Sequence, residues 1–154
     1  MTFQDQISDY EVSTSILLHA LSEVSDENLD RHGPGAWSAR QVIHHVADSE
    51  AQSYARLRRL LAEPAGSIIQ GYDEAAWALS LELGYTELPI EHSLAVFRAV
   101  RQASYDILGR LRESDLERNG VHSEIGYYSV ATWLNIYTEH PRIHAAQLTE
   151  AISS

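Results

Sequence analysis

The chain has no cysteine and no lysine, and each absence removes a class of chemistry. Without cysteine there is no disulfide, no thiolate metal ligand and no cysteine nucleophile. Without lysine there is no Schiff base on a lysine amine, and all 11 basic residues are arginines. Catalysis or metal binding therefore has to rely on carboxylates, hydroxyl groups and the 8 histidines, a high number for this length.

Positive charge and long apolar runs are also scarce. The formal net charge is -11, which disfavours a broad surface for nucleic acid or an anionic membrane. No apolar run approaches the roughly 18 residues that span a bilayer. The first residues show neither a basic region nor an apolar signal core. We therefore expect no nucleic-acid partner, no membrane association and a cytoplasmic location.

Length and composition are those of an ordinary folded domain. The sequence has 154 residues, of which 44% are apolar, so it can bury a core and is unlike a disordered chain. We predict a single domain over residues 1–154.

Apolar residues recur at helical spacing in long segments. We predict four long helices at about 5–24, 39–62, 90–112 and 130–151. The second has the clearest start, because Ser38 and Gln41 form the pattern of a capping box. Asp73 could cap a short additional helix over 74–81. No segment alternates strongly enough to predict a strand, so the sequence predicts an all-α four-helix bundle with long loops and short extra helical turns.

Two histidines in the last predicted helix, His140 and His144, are four residues apart and share one helix face. One divalent metal could bridge them, but the same spacing also suits two polar residues on a solvated or half-buried face. Trp133 and Leu134 indicate that this side of the helix points to the core. Buried imidazoles need partners that offset their lost hydration, and a metal is one such partner.

A third metal ligand would have to come from another helix, and His45 is our candidate. It lies on the core-facing edge of the second helix, whereas the adjacent His44 is rotated by about 100° and is expected at the boundary. Three histidines would leave coordination positions open, as in catalytic sites. Water bound there would be acidified toward neutrality. The alternative for His45 is a buried histidine without a metal.

Several sequence segments together resemble the DinB/YfiT-like superfamily. The clearest is Trp37–Glu50, which contains His44-His45-Val46-Ala47-Asp48-Ser49 and resembles the second-helix signature of that family. Three further segments resemble the YfiT branch of the family: Tyr54–Leu57, Tyr72–Trp77, and Tyr137–His140 continuing to His144 and Gln147. The resemblance extends over about residues 30–150.

This resemblance implies a four-helix bundle, usually a homodimer, with one zinc or nickel ion on three histidines. The matching positions are His45, His140 and His144. Family members have been described as metal-dependent hydrolases, and some resemble transferases and isomerases that use bacillithiol or mycothiol. We therefore expect a Zn²⁺ or Ni²⁺ enzyme that activates a low-molecular-weight thiol or water and acts on a small-molecule substrate. The alternative is a non-catalytic metal-binding or interaction module with the same fold.

Two positions depart from the family pattern. Glu50 stands where the YfiT branch often has a further histidine, and we expect it on a solvated face or as a proton acceptor. Pro141 lies between the two histidines of the last helix and cannot bond to the carbonyl of Tyr137. We expect it to kink or widen the helix and to re-aim His140.

Asp48 and Tyr137 are the candidate catalytic residues beside the metal. Asp48 follows His45 by one turn and could orient a ligand or the bound water. Its alternative role is an ion pair with Arg40, Arg56 or Arg142. Tyr137 could donate to a developing oxyanion, or it could be a core tyrosine with a satisfied hydroxyl group.

Other polar residues have less specific patterns. Gln147 could support a ligand or close a hydrogen bond across the bundle. We expect Arg56, Arg58 and Arg59 on the outer face. The alternative is that they bind an anionic thiol. His19, His32, His92 and His122 have no useful partner spacing, and we expect them at the surface.

Overall fold

The computed structural model describes all residues from 1 to 154 and contains five α-helices, three short strands and one 3-10 helix. The helices are α1 (Phe3–Ser22), α2 (Ala39–Ala62), α3 (Glu74–Leu79), α4 (Glu91–Leu108) and α5 (Val130–Ile152). The strands are β1 (Ser67–Ile69), β2 (Asn119–His122) and β3 (Gly126–Ser129), and the 3-10 helix is Glu113–Glu117. The predicted four-helix bundle is confirmed, with α1, α2, α4 and α5 as its long helices. None of the helices has the length and apolar character that crossing a membrane requires.

Side-chain caps determine where the helices begin. The predicted capping box of α2 is present, because Ser38 Oγ accepts from the backbone N–H of Gln41 and Gln41 Oε1 accepts from the backbone N–H of Ser38. Ser129 caps α5 by accepting from the backbone N–H of Thr132. Both helices therefore start where the sequence predicted. The prediction extended α4 too far, since it ends at Leu108 and a separate 3-10 helix follows.

A small three-stranded sheet lies at one end of the bundle, and the sequence prediction missed it. β1 pairs in parallel with β2, and β2 pairs antiparallel with β3. The strands have only three or four residues, too few for a pattern of alternation to be recognised. Gly120 permits the pairing, because a Cβ atom there would lie 2.5 Å from the backbone oxygen of Ser67. The sheet joins the two long connections of the bundle.

The core has two apolar clusters, and α5 contributes to both. One cluster contains Trp133 and Tyr137, and the other contains Ala145 and Leu148. His140 and His144 lie between these pairs along α5, so the helix places both at the boundary of the two clusters.

Arg101 on α4 is fully buried and connects all four long helices. It is 1% exposed, and its guanidinium carbon lies 3.5 Å from the ring centroid of Tyr10. All five of its N–H donors are used. They bond to Thr14 Oγ1, Tyr10 O and Ser13 Oγ on α1, to Glu50 Oε1 on α2, and to Tyr137 O on α5.

Glu50 is buried at 0% exposure, so its expected position on a solvated face was wrong. Its Oε1 accepts from Arg101 at 3.2 Å, while Oε2 has no hydrogen-bond partner. Burial raises the pKa of Glu50 to about 7 against the opposing charge of Arg101. The sequence did not show this contact because the two residues are distant in the chain and meet only when the bundle forms.

Pro141 lies within α5, and the helix continues through it from Val130 to Ile152. The carbonyl of Tyr137, which has no N–H partner at position 141, accepts from Arg101 at 2.7 Å. The predicted loss of a backbone bond is therefore offset by a buried side chain from α4.

Candidate metal centre

The structure brings His45, His140 and His144 together inside the bundle. The Nε2 atom of His144 lies 3.2 Å from Nε2 of His45 and 3.0 Å from Nε2 of His140. One ligand atom from each ring lies within 4.8 Å of the other two. His45 is 2% exposed, His144 is 9% exposed and His140 is half-buried. Three imidazoles from two helices thus converge on one point.

The spacing of these nitrogens fits a shared cation. Bonds of about 2.0–2.1 Å place neighbouring nitrogens about 3.3 Å apart in a tetrahedral site and about 2.9 Å apart in an octahedral one. The two contacts of His144 fall within this range. Its Nδ1 lies 2.7 Å from Oε1 of Gln147, an acceptor that favours the proton on Nδ1. Nε2 of His144 then presents a lone pair toward the other two rings.

All three histidines are held neutral by their surroundings. Burial lowers the pKa of His45 and of His144 to about 4. Burial also holds the pKa of His140 well below its ordinary value, and proximity to the other two rings adds to this effect. Neutral imidazole is the form that binds a metal, so the site is in its ligating state near pH 7 without any rearrangement of charge.

Trp37 and Tyr85 form an aromatic wall beside His45. The Trp37 ring lies 5.2 Å from the His45 ring and 6.4 Å from the Tyr85 ring. The hydroxyl group of Tyr85 donates to Asp48 Oδ2 at 2.5 Å. Tyr85 lies in the loop between α3 and α4, where no helical spacing pointed to it.

Asp48 follows His45 by about one turn of α2 but forms no hydrogen bond with any of the three clustered histidines. It also forms no ion pair with the three arginines considered above, so that alternative was wrong: Arg40 pairs with Asp30, Arg142 pairs with Asp9 and Glu139, and Arg56 forms no ion pair. Burial raises the pKa of Asp48, while the bond from Tyr85 partly opposes the rise. The carboxylate is therefore more basic than an exposed aspartate.

Tyr137 is a core residue whose hydroxyl group is hydrogen-bonded. It is 1% exposed, and its ring lies 6.1 Å from the ring of His140. Its hydroxyl oxygen accepts from Nη1 of Arg56 at 3.0 Å. Burial raises the pKa of Tyr137, so the phenol keeps its proton and can still donate it to a further acceptor.

We predicted Arg56 on the outer face, and this prediction was wrong. It is half-buried and bonds to Tyr137 and to the backbone oxygen of Gln70. Arg58 and Arg59 were predicted better: Arg58 lies over the ring of Tyr54, and Arg59 pairs with Glu63 one turn on. The difference arises because only Arg56 points toward α5 and the sheet.

Two histidines are more buried than predicted. His44 is 6% exposed and bonds to Ser93 Oγ at 2.7 Å and to the backbone oxygen of Leu88 at 3.0 Å. His122 is 6% exposed and its ring stacks on Tyr128 in the sheet, which the sequence analysis had not predicted. The other histidines predicted at the surface are exposed: His19, His32 and His92.

Known proteins are similar to this chain in sequence over most of its length. A protein from Oceanobacillus iheyensis named "Putative metal-dependent hydrolase" is 35% identical over 144 residues, which cover 93% of this chain and 81% of that protein. A protein of the same name from Bacillus cereus is 33% identical with the same coverage.

Two solved structures are similar to the bundle. YfiT from Bacillus subtilis, described as a probable metal-dependent hydrolase with an unusual four-helix bundle topology, matches with a TM-score of 0.83 and 28% identity. That match covers 97% of this chain and 85% of YfiT. TT2238, described as a four-helix bundle protein, matches with a TM-score of 0.64 and 23% identity, over 96% of this chain and 98% of TT2238, and so supports the fold alone.

The sequence profile of the DinB superfamily matches residues 9–148, a span that begins in α1 and includes all three clustered histidines. With that match and relatives more than 30% identical over most of its length, this chain belongs to the DinB superfamily.

Proposed function

We propose that this protein is a divalent-metal-dependent enzyme whose metal ligands are His45, His140 and His144. The observation that carries the proposal is the convergence of three neutral imidazoles, two of them buried and one half-buried, on one point. The names of the relatives, which describe metal-dependent hydrolases, support an enzymatic rather than a purely structural site.

The three histidines would hold Zn²⁺ or Ni²⁺ and leave further coordination positions for a ligand. Held by these residues, the metal would lower the pKa of a bound water or thiol and so would supply a nucleophile near neutral pH. Gln147 fixes the ring of His144 through Nδ1, so that Nε2 points inward. The nearby residues then handle protons and orientation.

Asp48 and Tyr137 have complementary roles in this proposal. Asp48 accepts the proton that the nucleophile loses, because burial makes its carboxylate more basic than usual. Tyr85 holds that carboxylate in place by donating to one of its oxygens. Tyr137 remains protonated and donates to negative charge that develops on the substrate.

The substrate is a small molecule, and the reaction is either hydrolysis or transfer to a low-molecular-weight thiol. The same acidifying site serves both reactions, since water and thiol are activated in the same way. We also propose a homodimer, the assembly that the family resemblance implies, which the mass in solution measures directly.

Turnover by metal-loaded protein tests the proposal. Zinc- or nickel-loaded wild type is assayed with activated esters and amides, and with a thiol plus a chromogenic electrophile. We expect metal-dependent turnover in one set and a loss of about 100-fold or more in His45→Ala, because removing a ligand disrupts the site. His44→Gln is the matched control, since His44 is adjacent and buried but bonds to Ser93 and Leu88.

Two outcomes would contradict the proposal. Equal turnover in wild type and His45→Ala would show that the chemistry occurs elsewhere. Metal-loaded wild type without turnover in either set would favour the non-catalytic metal-binding module.

A further inference from the structure

Arg56 is a half-buried cation without a carboxylate partner. It lies about three helical turns after His45 on α2. It donates to the Tyr137 hydroxyl at 3.0 Å and to the Gln70 carbonyl at 2.9 Å, and it forms no ion pair. Its Nε atom is buried and has no hydrogen-bond partner. A partly desolvated charge with an unused donor is costly unless something else pairs with it.

Other buried polar atoms without partners lie around the same arginine. The hydroxyl groups of Tyr72 and Tyr128 are buried and unpaired. Arg56 is close enough to both phenols to lower their pKa values, although burial raises them overall. Buried polar groups in folded proteins are nearly always hydrogen-bonded. The unused Nε donor of Arg56 and these two hydroxyl groups are therefore candidates to pair with a bound group.

Tyr137 connects this cluster to the three histidines. Its hydroxyl group bonds to Arg56, while its ring lies 6.1 Å from the ring of His140. Tyr72 lies near Ser49 and Asp48 on α2 and packs on Trp77 at 4.6 Å. Tyr137 is therefore the one side chain that contacts both Arg56 and the ring of His140.

The chemistry of the cluster favours a carboxylate. Guanidinium pairs with carboxylate through parallel hydrogen bonds, and the two phenols add further donors. One positive charge matches a monoanion, whereas the acidic Asp48 and Glu74 near Tyr72 would repel a phosphate dianion.

We propose that Arg56, Tyr72 and Tyr128 form a subsite for a carboxylate on the molecule that binds at the three histidines. The inference rests on the proposed function and narrows its substrate class to small carboxylic acids, including carboxylated thiols. A purely structural Arg56, serving only to join α2 to α5 and the loop, would give no preference for an acid.

Binding of two thiols to cobalt-substituted protein tests the subsite. The probes are 3-mercaptopropionate and its neutral amide, followed by the sulfur-to-cobalt charge-transfer absorption. We expect wild type to bind the acid about tenfold or more tightly than the amide, as a hydrogen-bonded charge pair provides. In Arg56→Gln the preference should fall to about one, with affinity for the amide changed by less than about twofold.

Arg58→Gln is the matched control, because it removes the same charge two residues away on α2, where Arg58 lies over Tyr54. It should keep the preference of wild type. Tyr128→Phe removes one hydroxyl group and should reduce the preference for the acid over the amide. This variant keeps the proposal testable if circular dichroism shows that Arg56→Gln does not fold.

The outcomes separate the two proposals. A cobalt spectrum that depends on His45, together with equal affinity for acid and amide in wild type, would overturn the subsite alone. A preference that persists unchanged in Arg56→Gln and Tyr128→Phe would also overturn it. Absence of any cobalt spectrum would overturn the metal centre and the subsite with it.

Discussion

At the scale of single residues, the charge state of the clustered histidines is the main property of the centre. The folded protein keeps His45 and His144 neutral down to a pKa of about 4, whereas an exposed histidine titrates near 6.5. Between these values the unfolded chain binds protons that the folded chain does not. The free energy of unfolding of the metal-free protein therefore rises with pH across this window. The part of it that these two histidines contribute is lost as the pH falls from about 6.5 toward 4.

A variant isolates this effect from other titrating groups. We expect His144→Gln to flatten the dependence of the unfolding free energy on pH between about 4 and 6.5, because it removes one group that takes up a proton on unfolding. Urea unfolding of chelator-treated protein at several pH values measures it. His32→Gln, at an exposed position, should keep the slope of wild type. Equal slopes in His144→Gln and wild type would show that His144 is not held neutral by the fold.

Single residues were predictable from sequence where spacing constrained them. The four-residue interval of His140 and His144 determined their common face. Helix geometry favoured His45 over His44, and the family resemblance agreed with that choice. Glu50 and His122 were misassigned because burial depends on tertiary partners, Arg101 for the first and Tyr128 for the second. Neither partner is near in sequence.

At the scale of the elements, Arg101 and Glu50 form the polar connection of the bundle. Arg101, on α4, donates hydrogen bonds to α1, α2 and α5. One of them goes to the carbonyl of Tyr137, which has no backbone donor because residue 141 is a proline. Since that carbonyl belongs to Tyr137, three residues before His140, the connection also supports the helix that carries two of the clustered histidines.

Removing Arg101 should be costly. We expect Arg101→Met to lower the free energy of unfolding by about 3–5 kcal/mol at pH 8, because it leaves the Glu50 carboxylate and the carbonyl of Tyr137 buried without the donor they use. The double variant Arg101→Met/Glu50→Gln should be less destabilised than the sum of the single changes, since it also removes the stranded carboxylate. Denaturant unfolding of the four proteins measures this coupling.

Arg98→Met is the control for this cycle, because Arg98 is exposed on the same helix and forms no ion pair. It should change the unfolding free energy by about 0.5 kcal/mol or less. Strictly additive effects of Arg101→Met and Glu50→Gln would contradict a direct energetic connection between the two residues.

The elements differ in how well the sequence predicts them. The bounds of helix α2 were predictable, since its capping box at Ser38 and Pro64 just after its end are local signals. The sheet was missed because each strand is too short for local propensity to decide, and its pairing joins Ser67 to Gly120, which are far apart in the sequence. Non-local pairing of this kind leaves no periodic trace in the sequence.

At the scale of the whole molecule, the bundle orients two helices so that a residue from α2 meets a pair from α5. Four amphipathic segments were enough to predict the fold class. Their arrangement, which places the histidines between two apolar clusters, required the family resemblance or the structure itself. The single-domain boundary over 1–154 stays a prediction, as does the homodimer.

The central claim is that one cation binds to the Nε2 atoms of His45, His140 and His144. Crystals of zinc-loaded protein, measured at wavelengths on both sides of the zinc absorption edge, test it most directly. We expect one anomalous peak at about 2.0–2.1 Å from each of these three nitrogens. An empty position between the three rings in zinc-saturated crystals, or a zinc peak held only by surface carboxylates, would contradict it.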